Sequence, residues 1–128
     1  MPAYDSIQFE PPAPLANVTL RNPNTQSTWS NVPMLIDSGA DVTLVPQDVL
    51  TRLGLAVNSK TRYELAGFDG NRSLASVVRL ELVFCRRTFR GQFLIIDQPW
   101  GILGRNILNA VPLLLDGPGL TWDEKQIG

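Results

Sequence analysis

The chain has 128 residues, enough to enclose one hydrophobic core, and with 44% apolar and 18% charged residues it reads as globular rather than disordered. A net charge of −1 gives no electrostatic reason to expect nucleic acid or an anionic membrane as partner. With no histidine and a single cysteine, Cys85, the chain excludes Ser-His-Asp and Cys-His triads, histidine or cysteine metal sites and internal disulfides.

Residues 1–14 carry Pro2, Pro11, Pro12 and Pro14 with little periodicity, which reads as an arm or linker ahead of a domain over 15–128. The N-terminus lacks a basic-then-apolar leader and no apolar stretch approaches a membrane span, so a soluble, cytoplasmic protein is expected. From Leu15 the pattern is β. Val18-Thr19-Leu20 runs into the polar turn Asn22-Pro23-Asn24, and a second strand passes through Trp29 and Val32 to Met34-Leu35-Ile36. The turn Asp37-Ser38-Gly39 precedes a strand over Val42-Thr43-Leu44-Val45. Pro46 suits the first position of a short helix with Val49, Leu50 and Leu53 on one face and Gly54 as its stop.

Tyr63 to Ala66 predicts a strand entering the hairpin signal Asp69-Gly70, with a long return strand in which Leu80, Leu82 and Phe84 alternate with Arg79, Glu81 and Val83. Cys85 reads as a core thiol at that strand's end. The chain turns at Arg86-Arg87 into another alternating strand through Phe89, Gly91, Phe93 and Ile95. A loop with Pro99 and Trp100, an apolar segment, a brief helix from Arg105 to Ala110 and a hairpin of Val111–Leu115 with Leu120–Trp122 complete the chain. The fold class is all-β with one or two short helices. A weak internal repeat is visible: Leu35-Ile36-Asp37, loop, strand, short helix matches Ile95-Ile96-Asp97, loop, strand, short helix, and predicts a pseudo-twofold axis.

Chemistry concentrates at Leu35-Ile36-Asp37-Ser38-Gly39-Ala40-Asp41. A carboxylate ending so apolar a strand is costly unless something exploits it, although an Asp bonding its own turn backbone is the plain reading. Without histidine, any acid–base work falls to carboxylates.

This segment together with Ile102-Leu103-Gly104-Arg105-Asn106-Ile107-Leu108, in that order and with a hairpin between, resembles the retropepsin-like aspartic proteases over about Leu15 to Leu115. The resemblance implies a closed β-barrel half-enzyme that acts as a homodimer on polypeptides, with no metal or organic cofactor. It implies Asp37 as the catalytic residue. Ser38 and Gly39 would support the active-site turn, and Gly39, Ala40 and Asp41 would meet substrate beneath a flap formed by Gly67, Phe68, Asp69 and Gly70. It also implies a buried ion pair between Asp41 and Arg105, whose guanidinium fork can hold a carboxylate as Lys cannot.

Aspartic proteolysis needs two carboxylates sharing one proton, and only one Asp-Ser-Gly occurs, so the second Asp37 is expected from another copy across a twofold axis. Asp97, followed by Gln98-Pro99-Trp100, and Asp116, in a Gly-Pro-Gly turn, are the intrachain rivals. Proline in the arm suits a sheet ladder poorly, so the apolar terminal hairpin is the better interface candidate. The functional expectation is an aspartic endopeptidase active in an acidic window. The alternative is a catalytically weak or inactive retropepsin-like module that binds peptides or dimerises.

Overall fold

In the computed structural model, residues 1–66 and 72–126 are described, with side chains outside 58–66 and 72–74. Nine strands and two short helices follow among them: β1 (Leu15–Arg21), β2 (Thr28–Ile36), β3 (Leu44–Pro46), α1 (Val49–Leu53), β4 (Asn58–Ala66), β5 (Arg72–Phe84), β6 (Arg87–Ile96), β7 (Gly101–Leu103), α2 (Arg105–Leu108), β8 (Leu113–Asp116) and β9 (Thr121–Glu124). None of the described helices is long and apolar enough to cross a membrane.

Hydrogen bonding runs in the order β1-β2-β7-β3-β6-β5, and a further β1–β5 pairing closes these strands into a barrel with β4 attached outside β5. Closure removes the open edges of six strands. Val18, Leu20, Val32, Met34, Val45 and Leu80 are essentially inaccessible, and along β1 and the end of β2 buried residues alternate with less buried ones.

The internal repeat is legible in the pairing. β2 runs parallel to β7, β3 parallel to β6, and β3 meets β7 antiparallel at Leu44 and Ile102. Exchanging β2 with β6 and β3 with β7 reproduces the same pattern, so the pseudo-twofold passes between Leu44 and Ile102.

Several local expectations need correction. Pro46 ends β3 rather than starting a helix; α1 begins at Val49 with Asp48 as N-cap and Gly54 closing it at φ 61°. The missing N–H costs no ladder bond there. Gln47 N–H reaches Ile96 O at 3.0 Å, so the alternate N–H groups of Leu44 and residue 46 point toward β7, which pairs only at Leu44. Val42 and Thr43 precede the strand instead of opening it.

Cys85 is not a strand end but the first central residue of a two-residue hairpin loop, with Arg86 the second. Phe84 pairs with Arg87, and φ is positive at both loop residues (51° and 62°), the type I′ geometry that matches strand twist. The thiol still packs on the core's edge, and burial pushes its pKa up, with the carboxylate of Glu124 adding to the shift. Glu81, expected on the polar face, is buried beneath two guanidinium groups. Arg21 Nε and Arg90 Nε each approach its carboxylate to 2.6 Å from the flanking strands β1 and β6. Arg21 holds the carboxyl below its usual range, against the opposing effect of desolvation.

The terminal hairpin β8–β9 docks on the barrel through Trp122. Its ring lies 6.0 Å from that of Phe84, and its indole N–H donates to Leu15 O at 3.3 Å. Glu124 accepts from Arg87 at 3.0 Å. The Pro-rich arm joins this small sheet after all: Tyr4 N–H donates to Leu120 O at 2.8 Å and Trp122 N–H to Pro2 O at 2.9 Å. Pro2 serves there only as acceptor, which is why it is tolerated.

Candidate active site

The apolar end of β2 fixes where the carboxylate of Asp37 emerges. Ile36 N–H is bound to Pro14 O at 2.9 Å on one side, and Asp37 N–H to Leu103 O at 3.1 Å on the other. The chain then turns tightly: Gly39 N–H donates to Asp37 Oδ1 at 2.9 Å and Ala40 N–H to Asp37 O at 3.1 Å. This is the Asx-turn of the plain reading, and it orients the carboxylate. A Cβ at Gly39 would stand 3.2 Å from Asp37 Oδ1, so a side chain there would press on the carboxylate itself. Asp37 is half-buried, while Ser38, Gly39 and Asp41 lie open to solvent in the single chain.

The second motif holds this turn from behind. Arg105 Nη1 donates to Ser38 O at 2.8 Å, Arg105 Nη2 donates to Asp41 Oδ1, and Arg105 N–H donates to Ala40 O at 2.8 Å. Arg105 therefore grips both carbonyl and carboxylate of the turn, a task for a planar fork. One expectation is corrected here. The pair is exposed rather than buried, Arg105 at 43% and Asp41 at 79% of their side-chain surface, because both stand at the open rim. In water such a pair contributes at most about 1 kcal/mol, so its work is placement.

Sequence reasoning missed Thr43 and Asn106. The buried Thr43 hydroxyl donates to Asn106 Oδ1 at 2.7 Å and accepts Gly104 N–H at 3.0 Å. The two backbones touch at this point: a Cβ on Gly104 would fall 2.5 Å from the carbonyl carbon of Val42 and 2.9 Å from its nitrogen. A threonine within an apolar run reads as ordinary β-branched strand filler, and only the Gly-Arg-Asn triplet hinted at a polar partner.

The intrachain rivals sit badly for a dyad. β2 and β6 run antiparallel, because two parallel pairings flank one antiparallel one. They lie three strands apart on opposite walls of the barrel, and Asp97 leaves β6 at the end opposite to Asp37. Asp116 Oδ1 accepts Gly119 N–H at 3.0 Å and belongs to the β8–β9 turn. The flap expectation at Gly67, Phe68, Asp69 and Gly70 lies outside the described residues; its flanks are antiparallel, Ala66 opposite Arg72. Among the described residues, no group of three or more Cys, Asp or Glu side chains is placed to hold a metal ion.

The sequence profile of the family described as aspartyl protease matches residues 18–107, which takes in the first motif and the second as far as Ile107. Among solved structures, EIAV protease complexed with the inhibitor HBY-793 is similar over 83% of this chain and 91% of that one, with TM-score 0.55 and 21% identity, a likeness of fold. A search of curated proteins gave no match. The profile spans most of the chain, and the barrel around its two motifs is similar in fold to that of the retroviral protease. The chain thus belongs to the aspartyl protease family, with the retropepsin-like fold.

Proposed function

We propose that the chain is an aspartic endopeptidase, complete only as a homodimer in which two Asp37 carboxylates meet on a twofold axis. The observation that carries this reading is the Asp37 turn itself: a half-buried carboxylate oriented by Gly39 N–H, in a turn that Arg105 clamps through Ser38 O, with no second carboxylate placed to share its proton among the described residues. Two carboxylates brought together cannot both ionise easily, so one keeps a proton. The ionised member takes a proton from water as the water oxygen bonds to the scissile carbonyl carbon, and the protonated member donates to the carbonyl oxygen. The tetrahedral intermediate then collapses: its C–N bond breaks, and the nitrogen leaves as an amine with the proton returned by the dyad.

Gly39, Ala40 and Asp41 line the open rim, where an extended polypeptide can bond to backbone groups and to the Asp41 carboxylate. The segment Gly67 to Gly70 is proposed as the flap that covers the bound peptide. The terminal hairpin offers a surface for the second copy: Leu114 and Leu115 on β8 and Leu120 in the turn before β9 are 55%, 50% and 45% exposed. Residues 1–14 serve as an arm to a protease domain over 15–128.

Asp37→Asn tests the mechanism. It keeps the turn bond to Gly39 N–H, so thermal unfolding should match the parent, while cleavage of a peptide library should vanish. Undiminished cleavage by the folded variant would refute it. Peptide binding without cleavage by the parent protein would favour the binding-module reading instead.

A further inference from the structure

Two segments far apart in the chain meet beside Asp37, and they are joined by one buried hydroxyl that the mechanism above does not use. Thr43 lies at the end of the 37–43 segment, and Gly104 and Asn106 flank Arg105 in the second motif. The hydroxyl is fully engaged: its single proton goes to Asn106 Oδ1 at 2.7 Å and a lone pair receives Gly104 N–H at 3.0 Å. The absent Cβ of Gly104 brings the Val42 backbone close enough for both bonds.

Arg105 fixes the exposed outer part of the turn through Ser38 and Asp41, where water competes. Thr43 fixes its base, where the bond from Gly104 N–H is buried away from water. We propose that Thr43 is a positioning residue of the proteolytic site, holding the Asp37–Asp41 turn against the Gly104–Asn106 segment so that the Asp37 carboxylate meets its twin at productive spacing. Thr43 touches neither peptide nor water in the reaction. It acts through the turn, and a dyad is sensitive to such action because a misplacement of about 1 Å can cost about 100-fold in rate.

This inference rests on the protease reading, and the experiment separates the two. Cleavage kinetics are measured on dimeric parent, Thr43→Val, Thr43→Ser and Asn106→Ala. Val keeps the shape without the hydroxyl; Ser restores it. The expected result is a kcat about 10- to 100-fold lower in Thr43→Val, with KM within about 3-fold and the dimerisation midpoint unchanged. Thr43→Ser should return to within about 3-fold of the parent, and Asn106→Ala should show the same split at smaller size. Asn106 is exposed, so its variant should fold even where Thr43→Val does not, and it then decides the matter. Parental kcat in folded Thr43→Val or, where that variant does not fold, in Asn106→Ala would overturn the positioning role alone. A fall confined to stability or dimerisation would overturn it too. A dimeric parent that cleaves nothing would overturn the protease reading and this inference with it.

Discussion

Gly104→Ala offers a stringent test of how the two motifs are joined. The backbone at Gly104 is extended (φ −94°, ψ −179°), so alanine meets no conformational penalty there. What forbids it is space. A Cβ would lie 2.5 Å from the carbonyl carbon of Val42 and 2.9 Å from its nitrogen, and these are backbone atoms that cannot rotate aside. The strand end and the N-terminus of α2 must therefore part, stretching the Thr43–Gly104 bond of 3.0 Å.

Overpacking costs typically 1–3 kcal/mol, and a backbone collision with a weakened buried hydrogen bond belongs at about 2–3 kcal/mol. With an unfolding entropy of about 2.1 cal/mol/K per residue over 128 residues, Tm should fall by about 7–11 °C. Circular dichroism melts of Gly104→Ala beside Gly117→Ala measure this. Gly117 has open space for a Cβ, so its variant should stay within about 0.5 kcal/mol of the parent. Equal melting temperatures for Gly104→Ala and the parent would refute the close approach.

Three further outcomes follow from named contacts. Glu81, whose carboxyl is held low by Arg21, contributes stability that is fully present above the unfolded value of about 4.3 and lost as pH falls through the lower folded value. The urea midpoint gap between parent and Glu81→Gln should thus shrink below about pH 4, and a gap constant from pH 7 to 2 would contradict the triad. Cys85, raised chiefly by burial, favours the fold fully below the unfolded thiol value of about 8.5 and loses that contribution as pH rises toward the folded one. Cys85→Ser should flatten the alkaline limb of the stability curve, and an unchanged limb would rule this out. Arg105→Lys should cost at most about 1 kcal/mol, because the pair with Asp41 is exposed, yet it should cut cleavage sharply by releasing Ser38 O; a large drop in Tm with normal cleavage would reverse that assignment.

Strand alternation made much of the barrel legible, because buried and less buried residues switch with period two along β1 and from Val32 to Ile36 in β2. The half-site was legible in its two motifs, since Asp-Ser-Gly dictates a local turn and Arg105 is suited to reach it. What escaped depended on who pairs with whom. Glu81 is buried only because β1 and β6 deliver Arg21 and Arg90 to either side of β5, and no local pattern encodes that. Thr43 and Asn106 are separated by 63 positions, so their bond exists only once β3 and β7 meet. The loop at Cys85-Arg86 escaped for a different reason: neither residue favours positive φ, and the strands on both sides impose it. The exposure of the Asp41–Arg105 pair reflects its place at the rim, which spacing alone does not reveal.

The central claim is that the proteolytic site requires two copies of Asp37. Its most direct test is the cleavage rate per protomer across a dilution series, run alongside sedimentation of the same samples. The rate should track the fraction of dimer and vanish with it. A monomer that keeps the full rate per protomer at every dilution would contradict the claim.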